Sequence, residues 1–161
     1  MTEAARHVIR CVAMRRLALL LLLLASVTSA AQNSPASKTA LDQAVRDYVG
    51  LYRADTLAEW KKLFHPQLTV VFPDAKGVIV VRNLEQFYGA QANYLPRRKS
   101  VSERLENVRI EQGRRMARVV ADFIFVDEGT EFRGKLGLHL VEGSEGWKIV
   151  GIIFSYDNEE E

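Results

Sequence analysis

Leu41–Tyr88, LDQAVRDYVGLYRADTLAEWKKLFHPQLTVVFPDAKGVIVVRNLEQFY, changes its hydrophobic period more than once along its length. Leu41, Ala44, Val45, Tyr48, Leu51 and Tyr52 recur at steps of three and four and so share one face of a helix. Thr39 and Asp42 have the spacing of a capped start for it. Leu57, Trp60, Leu63 and Phe64 form a second stripe, with Thr56 and Glu59 repeating the capping pattern. Pro66 closes this helix, because the residue before a proline is pushed out of the helical region. The runs Leu68–Phe72 and Val78–Val81 are rich in β-branched residues and flank Pro73-Asp74-Ala75-Lys76-Gly77, which reads as a hairpin. Asn83 then caps a third helix carrying Leu84, Phe87 and Tyr88.

Everything downstream reads as strands. Ser102–Gln112, Arg115–Val126, Glu131–Val141 and Trp147–Tyr156 are joined by short Gly-containing turns, which favours an antiparallel meander. Leu105 and Val108 are out of phase, so a bulge that bends the sheet is expected near Glu106-Asn107. Helices first and a meander second predict an α+β, cone-shaped (cystatin-like) fold. Three helices would pack on a strongly curved antiparallel sheet around a central pocket. Period two puts Ala117, Val119, Ala121, Phe123 and Phe125 on the face toward the helices, with Phe132, Leu136, Leu138 and Leu140 beside them. The opposite face mixes Arg118, Asp122, Arg133, Lys135 and His139 with apolar residues, and is expected to serve as a homodimer surface.

The flanks concern compartment. Arg15-Arg16, the apolar run Leu17–Val27 and the small residues through Ala31 are the three parts of a secretory signal. The run is too short for a comfortable bilayer span of roughly 20 residues, so membrane contact is expected only through the signal before cleavage. A start at Met14 would give that signal ordinary length. Residues 32–37 read as a linker, 38–157 as the domain and 158–161 as an acidic tail. The protein is thus expected to be exported, periplasmic or secreted. Removing residues 1–31 leaves 18 basic and 19 acidic residues and no cysteine, since Cys11 is the only one. Such a balance argues against nucleic acid as a partner.

The segments Asp47–Tyr52, Asp55–Leu57, Lys62–Pro66 and Phe87-Tyr88 resemble the nuclear transport factor 2-like superfamily, with its SnoaL-like cyclases and steroid isomerases. Within it the chain looks closest to the lumazine-binding branch. The resemblance implies the cone fold and leaves the chemistry open. Aligned with the isomerases, Tyr48 falls on their oxyanion-donor tyrosine, Phe72 on their base and Leu138 near their second acid. The isomerase mechanism is therefore not supported by the alignment.

The remaining candidates follow from residue chemistry. Tyr48, Tyr52, Trp60 and Phe64 on the helical stripes are expected to line an apolar pocket, together with Phe72, Phe87, Phe123 and Leu138. His65 is a candidate general base, or a turn histidine at the helix end. Asp122 is a candidate buried acid, although its parity favours an outer-face ion pair with Arg133 or Lys135. Were the two faces exchanged, Asp122 and His139 would be the catalytic pair. No dinucleotide, P-loop or metal-ligand spacing is present, so neither cofactor nor metal is expected. Two functions stay open. The preferred one is a non-catalytic binding or accessory protein for a small apolar or aromatic organic molecule, supported by the aromatic-rich concave face and by the absence of a carboxylate base facing the pocket. The other is a cofactor-free isomerase, dehydratase or cyclase using Tyr48 and His65, which requires both side chains to meet in one cavity.

Overall fold

The computed structural model of the chain describes residues 35–157. The segment read as an export signal, the start of the one read as a linker and the acidic tail lie outside the described residues. Helix α1 spans Pro35–Gly50 and opens on a proline, whose missing N–H does no harm in a first turn. Pro35–Ser37, part of the segment read as a linker, are thus helical. Thr39 lies inside the helix, its hydroxyl donating to the Pro35 carbonyl at 2.9 Å, and is not the cap. The indole Nε1 of Trp147 donates to the Ser37 carbonyl at 3.2 Å, and the Ser37 hydroxyl donates to Glu142 Oε1 at 3.0 Å. Those bonds fasten the beginning of α1 to the sheet.

Helix α2 is shorter than its stripe suggests, spanning only Leu57–Lys61. Thr56 does not cap it; its hydroxyl donates to the Leu51 carbonyl at 2.8 Å. Phe64 already belongs to strand β1 (Phe64–Pro73), so Pro66 sits within a strand and does not terminate the helix. Two influences favour extension there. Pro66 disfavours a helical His65, and the Ile149 amide takes the Leu63 carbonyl at 2.9 Å, which draws the chain into the sheet. The ladder is irregular between Phe64 and Thr69, the kind of place where a strand accepts a proline.

Strand β2 (Ile79–Asn83) returns antiparallel to β1 around the expected turn, with Gly77 at φ 73°. Asn83 caps α3 (Leu84–Tyr94) through a reciprocal pair: its side chain accepts from the Gln86 amide, and its own amide donates to the Gln86 side chain. The meander is β3 (Val101–Gln112), β4 (Met116–Asp127), β5 (Thr130–Gly143) and β6 (Gly146–Tyr156), antiparallel throughout. The six strands are ordered β2-β1-β6-β5-β4-β3, and the β1–β6 junction is parallel. The bulge falls where the pattern places it. Pairing jumps from Glu106–Asp122 to Arg109–Val120, and Asn107 takes φ 52° to absorb the extra residue.

The concave face receives α1, α2 and α3. Leu41, Val45 and Tyr48 meet Trp60, Leu68, Val70, Val119, Leu138 and Ile152 in one buried cluster. The face assignment holds for Ala117, Val119, Ala121 and Phe123, and for Leu136, Leu138 and Leu140, all buried. Phe132 shares that face, opposite Phe125, but lies at the mouth of the cone and is 38% exposed. Gly134 permits one close approach. A Cβ at that position would lie 2.1 Å from the Ser155 carbonyl oxygen and 2.4 Å from Phe123 Cε1. Only glycine lets the Phe123 ring rest on the β5 backbone, and that ring forms part of the pocket wall.

Candidate functional site

The helices and the sheet enclose a cavity of about 450 Å³. Tyr48 from α1, Tyr52 just beyond it, Trp60 from α2 and Phe87, Gln91 and Tyr94 from α3 form the helical wall. Glu103 from β3, Phe123 and Phe125 from β4, Leu136 from β5, and Phe154 and Tyr156 from β6 form the sheet wall. An outer chamber of about 570 Å³ shares Phe87, Gln91, Tyr94, Phe125, Phe154 and Tyr156 with it. To these the outer chamber adds Phe72, Asp74, Arg82, Asp127 and Phe132 among others. The cavity therefore has a deep aromatic end and a mouth with more charged side chains, the two sharing walls.

Aromatic packing fixes the deep end. The Trp60 ring lies 4.6 Å from Phe64, 5.1 Å from Tyr52 and 5.5 Å from Phe87 between centroids. Its Nε1 donates to the Tyr48 carbonyl at 2.7 Å, so the indole satisfies its one polar atom and cannot rotate freely. Tyr52 donates its hydroxyl to Gln91 Oε1 across the cavity. The Tyr48 hydroxyl meets no partner among the described residues and is left for whatever fills the space.

One acid stands in this apolar surround. Glu103 has neither a hydrogen-bond nor an ion-pair partner among the described residues, and it lines the cavity. The residue is partly buried, and its carboxyl opens onto the cavity rather than onto a protein partner. Loss of hydration raises its pKa from the ordinary 4.5 to about 7. Burial first, and then the Glu103 charge, raise the pKa of Tyr48, Tyr52 and Tyr156. Those phenols stay protonated at neutral pH. A carboxyl able to give or take a proton thus faces phenols that keep their protons and can donate hydrogen bonds.

A second acid sits at the mouth. Asp127 lies 3.6 Å from the Arg98 guanidinium, which also covers the Tyr94 ring at 4.9 Å. Its Oδ1 is buried without a hydrogen-bond partner. Desolvation, then the neighbouring Asp127, push Tyr94 up to about 12.

Of the residues expected in the pocket, Tyr48, Tyr52, Trp60, Phe87 and Phe123 line the inner cavity and Phe72 the outer chamber. Phe64 and Leu138 are core residues behind the wall, 4% and 0% exposed. His65 lines neither chamber; its Nδ1 accepts the Gln67 amide at 3.1 Å in β1. Tyr48 and His65 are therefore not brought together. Asp122 is on the outer face, where Lys135 Nζ reaches Oδ1 at 2.7 Å and Asn107 Nδ2 reaches Oδ2 at 2.6 Å. Those donors hold its carboxyl below the usual range. His139 is exposed on the same outer face.

Glu103 is the residue that the sequence reading missed, and with it fell the premise that no carboxylate base faces the pocket. A signal for it existed. Leu105 points inward opposite Phe123, and two residues earlier the same parity puts Glu103 opposite Phe125. The run Ser102-Glu103-Arg104-Leu105-Glu106 looks solvated because its outward members are polar too.

Comparison with known proteins agrees with the geometry. The sequence pattern of the SnoaL-like domain matches residues 41–158. The chain belongs to the SnoaL-like domain family. Among curated protein sequences nothing matches it. Solved structures of this nuclear transport factor 2-like fold superpose over most of the described residues. A candidate dehydratase of that family from Streptomyces avermitilis aligns at TM-score 0.65 and 10% identity, over 77% of this chain and 98% of its own. A candidate scytalone dehydratase from Novosphingobium aromaticivorans aligns at TM-score 0.63 and 13% identity, over 77% and 87%. A protein of unknown function with a cystatin-like fold from Nostoc punctiforme aligns at TM-score 0.62 and 9% identity, over 78% and 95%. At such identities the likeness establishes fold alone for this SnoaL-like chain.

Proposed function

We propose that this SnoaL-like protein is a cofactor-free proton-transfer enzyme of the isomerase or dehydratase kind. Its substrate is a small aromatic or alicyclic carbonyl compound held in the cavity. The observation that carries this reading is Glu103, an unpaired carboxyl with a pKa near 7 inside an aromatic cavity. At that pKa both protonation states are populated at neutral pH, as a group that takes and then returns a proton requires. The Glu103 carboxylate removes a proton from the carbon next to the carbonyl. The Tyr48 hydroxyl donates to the oxygen on which negative charge develops. Glu103 then returns the proton to another carbon, which isomerises the substrate, or to a departing hydroxyl, which dehydrates it. The dehydratase descriptions of two structural neighbours favour this class by analogy.

The reading extends to compartment and assembly. Residues 1–31 are taken as an export signal, with action in the periplasm or outside the cell; N-terminal sequencing of the native protein checks cleavage. A homodimer through the outer sheet face is supported by the apolar row Val81, Val71, Ile153, Gly137 and Val120, which runs in register across five strands. Sedimentation of Ile153→Glu against wild type tests it.

Catalysis is tested with 2-tetralone in D₂O, following loss of its α-proton signals by NMR. Wild type is expected to accelerate exchange with a rate that rises through pH 7, and Glu103→Gln to lose that acceleration. Binding of 2-tetralone without exchange above buffer would overturn the enzyme reading and leave a ligand-binding protein.

A further inference from the structure

The mouth of the cavity carries a cation that no carboxylate among the described residues pairs with. Arg82 sits on β2 opposite the inward-facing Val70 and lines the outer chamber. Its guanidinium lies 5.0 Å from the centroid of Phe72, and Phe72 stacks on Phe154 at 4.8 Å and 14°. Phe154 lines both chambers, so an aromatic track runs from Arg82 into the deep end. Among the described residues no carboxylate lies within ion-pair distance of Arg82. Arg98, at the same mouth, has Asp127 at 3.6 Å and Glu128 at 4.0 Å.

Two other charges face this chamber. Asp74 Oδ1 is taken up by the Lys76 and Val78 amides, both at 2.9 Å, and holds the hairpin turn. Asp127 is balanced by Arg98 and set against Tyr94. Of the charged side chains lining this chamber, Arg82 is the one whose planar, stacked N–H donors have no partner among the described residues, and a guanidinium fork fits a carboxylate. Polarity also orients the guest. An anionic group beside Glu103 would be repelled, so the charged end belongs at the mouth and the neutral, reacting end inside.

We propose that Arg82 receives the anionic end of the ligand, so that the substrate class is an aromatic or alicyclic carboxylate whose neutral end reaches Glu103. This rests on the aromatic cavity as the ligand site, and deepens that reading by naming the ligand's charge. The test is calorimetric titration at pH 6 with 1-naphthylacetate and its neutral isostere 1-naphthylacetamide. Wild type is expected to bind the carboxylate about tenfold more tightly than the amide. Arg82→Gln should abolish that preference while leaving amide affinity within about twofold, and Arg82→Lys should keep part of it. Raising salt should weaken only the carboxylate. A preference that survives Arg82→Gln, or an equal loss of both ligands, overturns the assignment. If neither compound binds wild type, the cavity reading fails and takes this inference with it. If the carboxylate preference holds while 2-tetralone exchange is absent, only the catalytic reading fails.

Discussion

Glu103 and Asp122 stand on neighbouring strands of one sheet, two carboxylates whose surroundings have little in common. Glu103 points into the cone from β3, opposite Phe125, where aromatic rings line the cavity and no donor among the described residues meets it. Asp122 points outward from β4 and receives Asn107 and Lys135. Burial drives the first toward its protonated form, and hydrogen bonding holds the second in its ionised form. The bulge at Asn107 takes part in both fates. It bends β3 between Glu106 and Arg109, and its own side chain, at φ 52°, supplies one of the two donors to Asp122. In this sheet the face decides which acid is held ionised and which is free to take a proton.

The largest contrast should appear in catalysis. Glu103→Gln keeps the shape of the side chain and removes its basicity, so α-proton exchange into 2-tetralone should fall about a thousandfold. Asp122→Asn should leave the same rate within about twofold. Equal losses in the two variants, read by NMR, would erase the distinction between the faces.

Next comes stability against pH. The folded Glu103 pKa lies above its unfolded value, so between about pH 4.5 and 7 the native state binds the extra proton. Stability that is present below pH 4.5 is then lost as pH rises through 7, by on the order of 3 kcal/mol. Urea unfolding of wild type at pH 5 and pH 8 should show that decline, and Glu103→Gln should flatten it. The variant is thus expected to be the more stable protein at pH 8 and close to wild type at pH 5. A wild type that gains stability over this interval would mean that the carboxyl is hydrated after all.

Tyr48 sharpens the inner half of the comparison. Its hydroxyl has no partner among the described residues, and its ring packs against Trp60 and Phe64. Tyr48→Phe should therefore keep the fold, as read by an unchanged melting temperature at pH 5. It should slow tetralone exchange about a hundredfold, the usual cost of one oxyanion donor. An unchanged rate would reassign that role to Tyr156, the other cavity phenol whose hydroxyl has no hydrogen-bond partner among the described residues.

How much of this was legible in the sequence follows from what periodicity measures. Period two and the out-of-phase pair Leu105 and Val108 located the meander, its faces and the bulge, because the bulge resets the parity of the strand that contains it. The Asn83 cap was legible because it is a local, three-residue device. Helix α2 was over-extended because Leu63 and Phe64 fit a helical stripe and a strand equally well. Pairing of β1 with β6, about 80 residues further along, decided between them. Glu103 stayed hidden for a related reason. A charged residue on an inward position looks like its solvated neighbours until the curvature that closes the cone around it is known.

The smallest predicted effect belongs to the outer acid. The folded Asp122 pKa is below its unfolded value, the reverse of Glu103, so its contribution is present above the ordinary aspartate pKa of 3.8 and fades as the pH falls through the folded value. Asp122→Asn should lower the melting temperature slightly at pH 7, and the difference from wild type should shrink in acid. Because the pair is solvent-exposed, added salt should also shrink it. Glu103→Gln should show the opposite pattern on both axes, its stabilisation growing with pH and barely changing with salt, because the charge it removes lines the aromatic cavity and has no ion-pair partner among the described residues. If the two variants instead shift together with salt, then Glu103 is screened by water as Asp122 is, and the inner face is no drier than the outer.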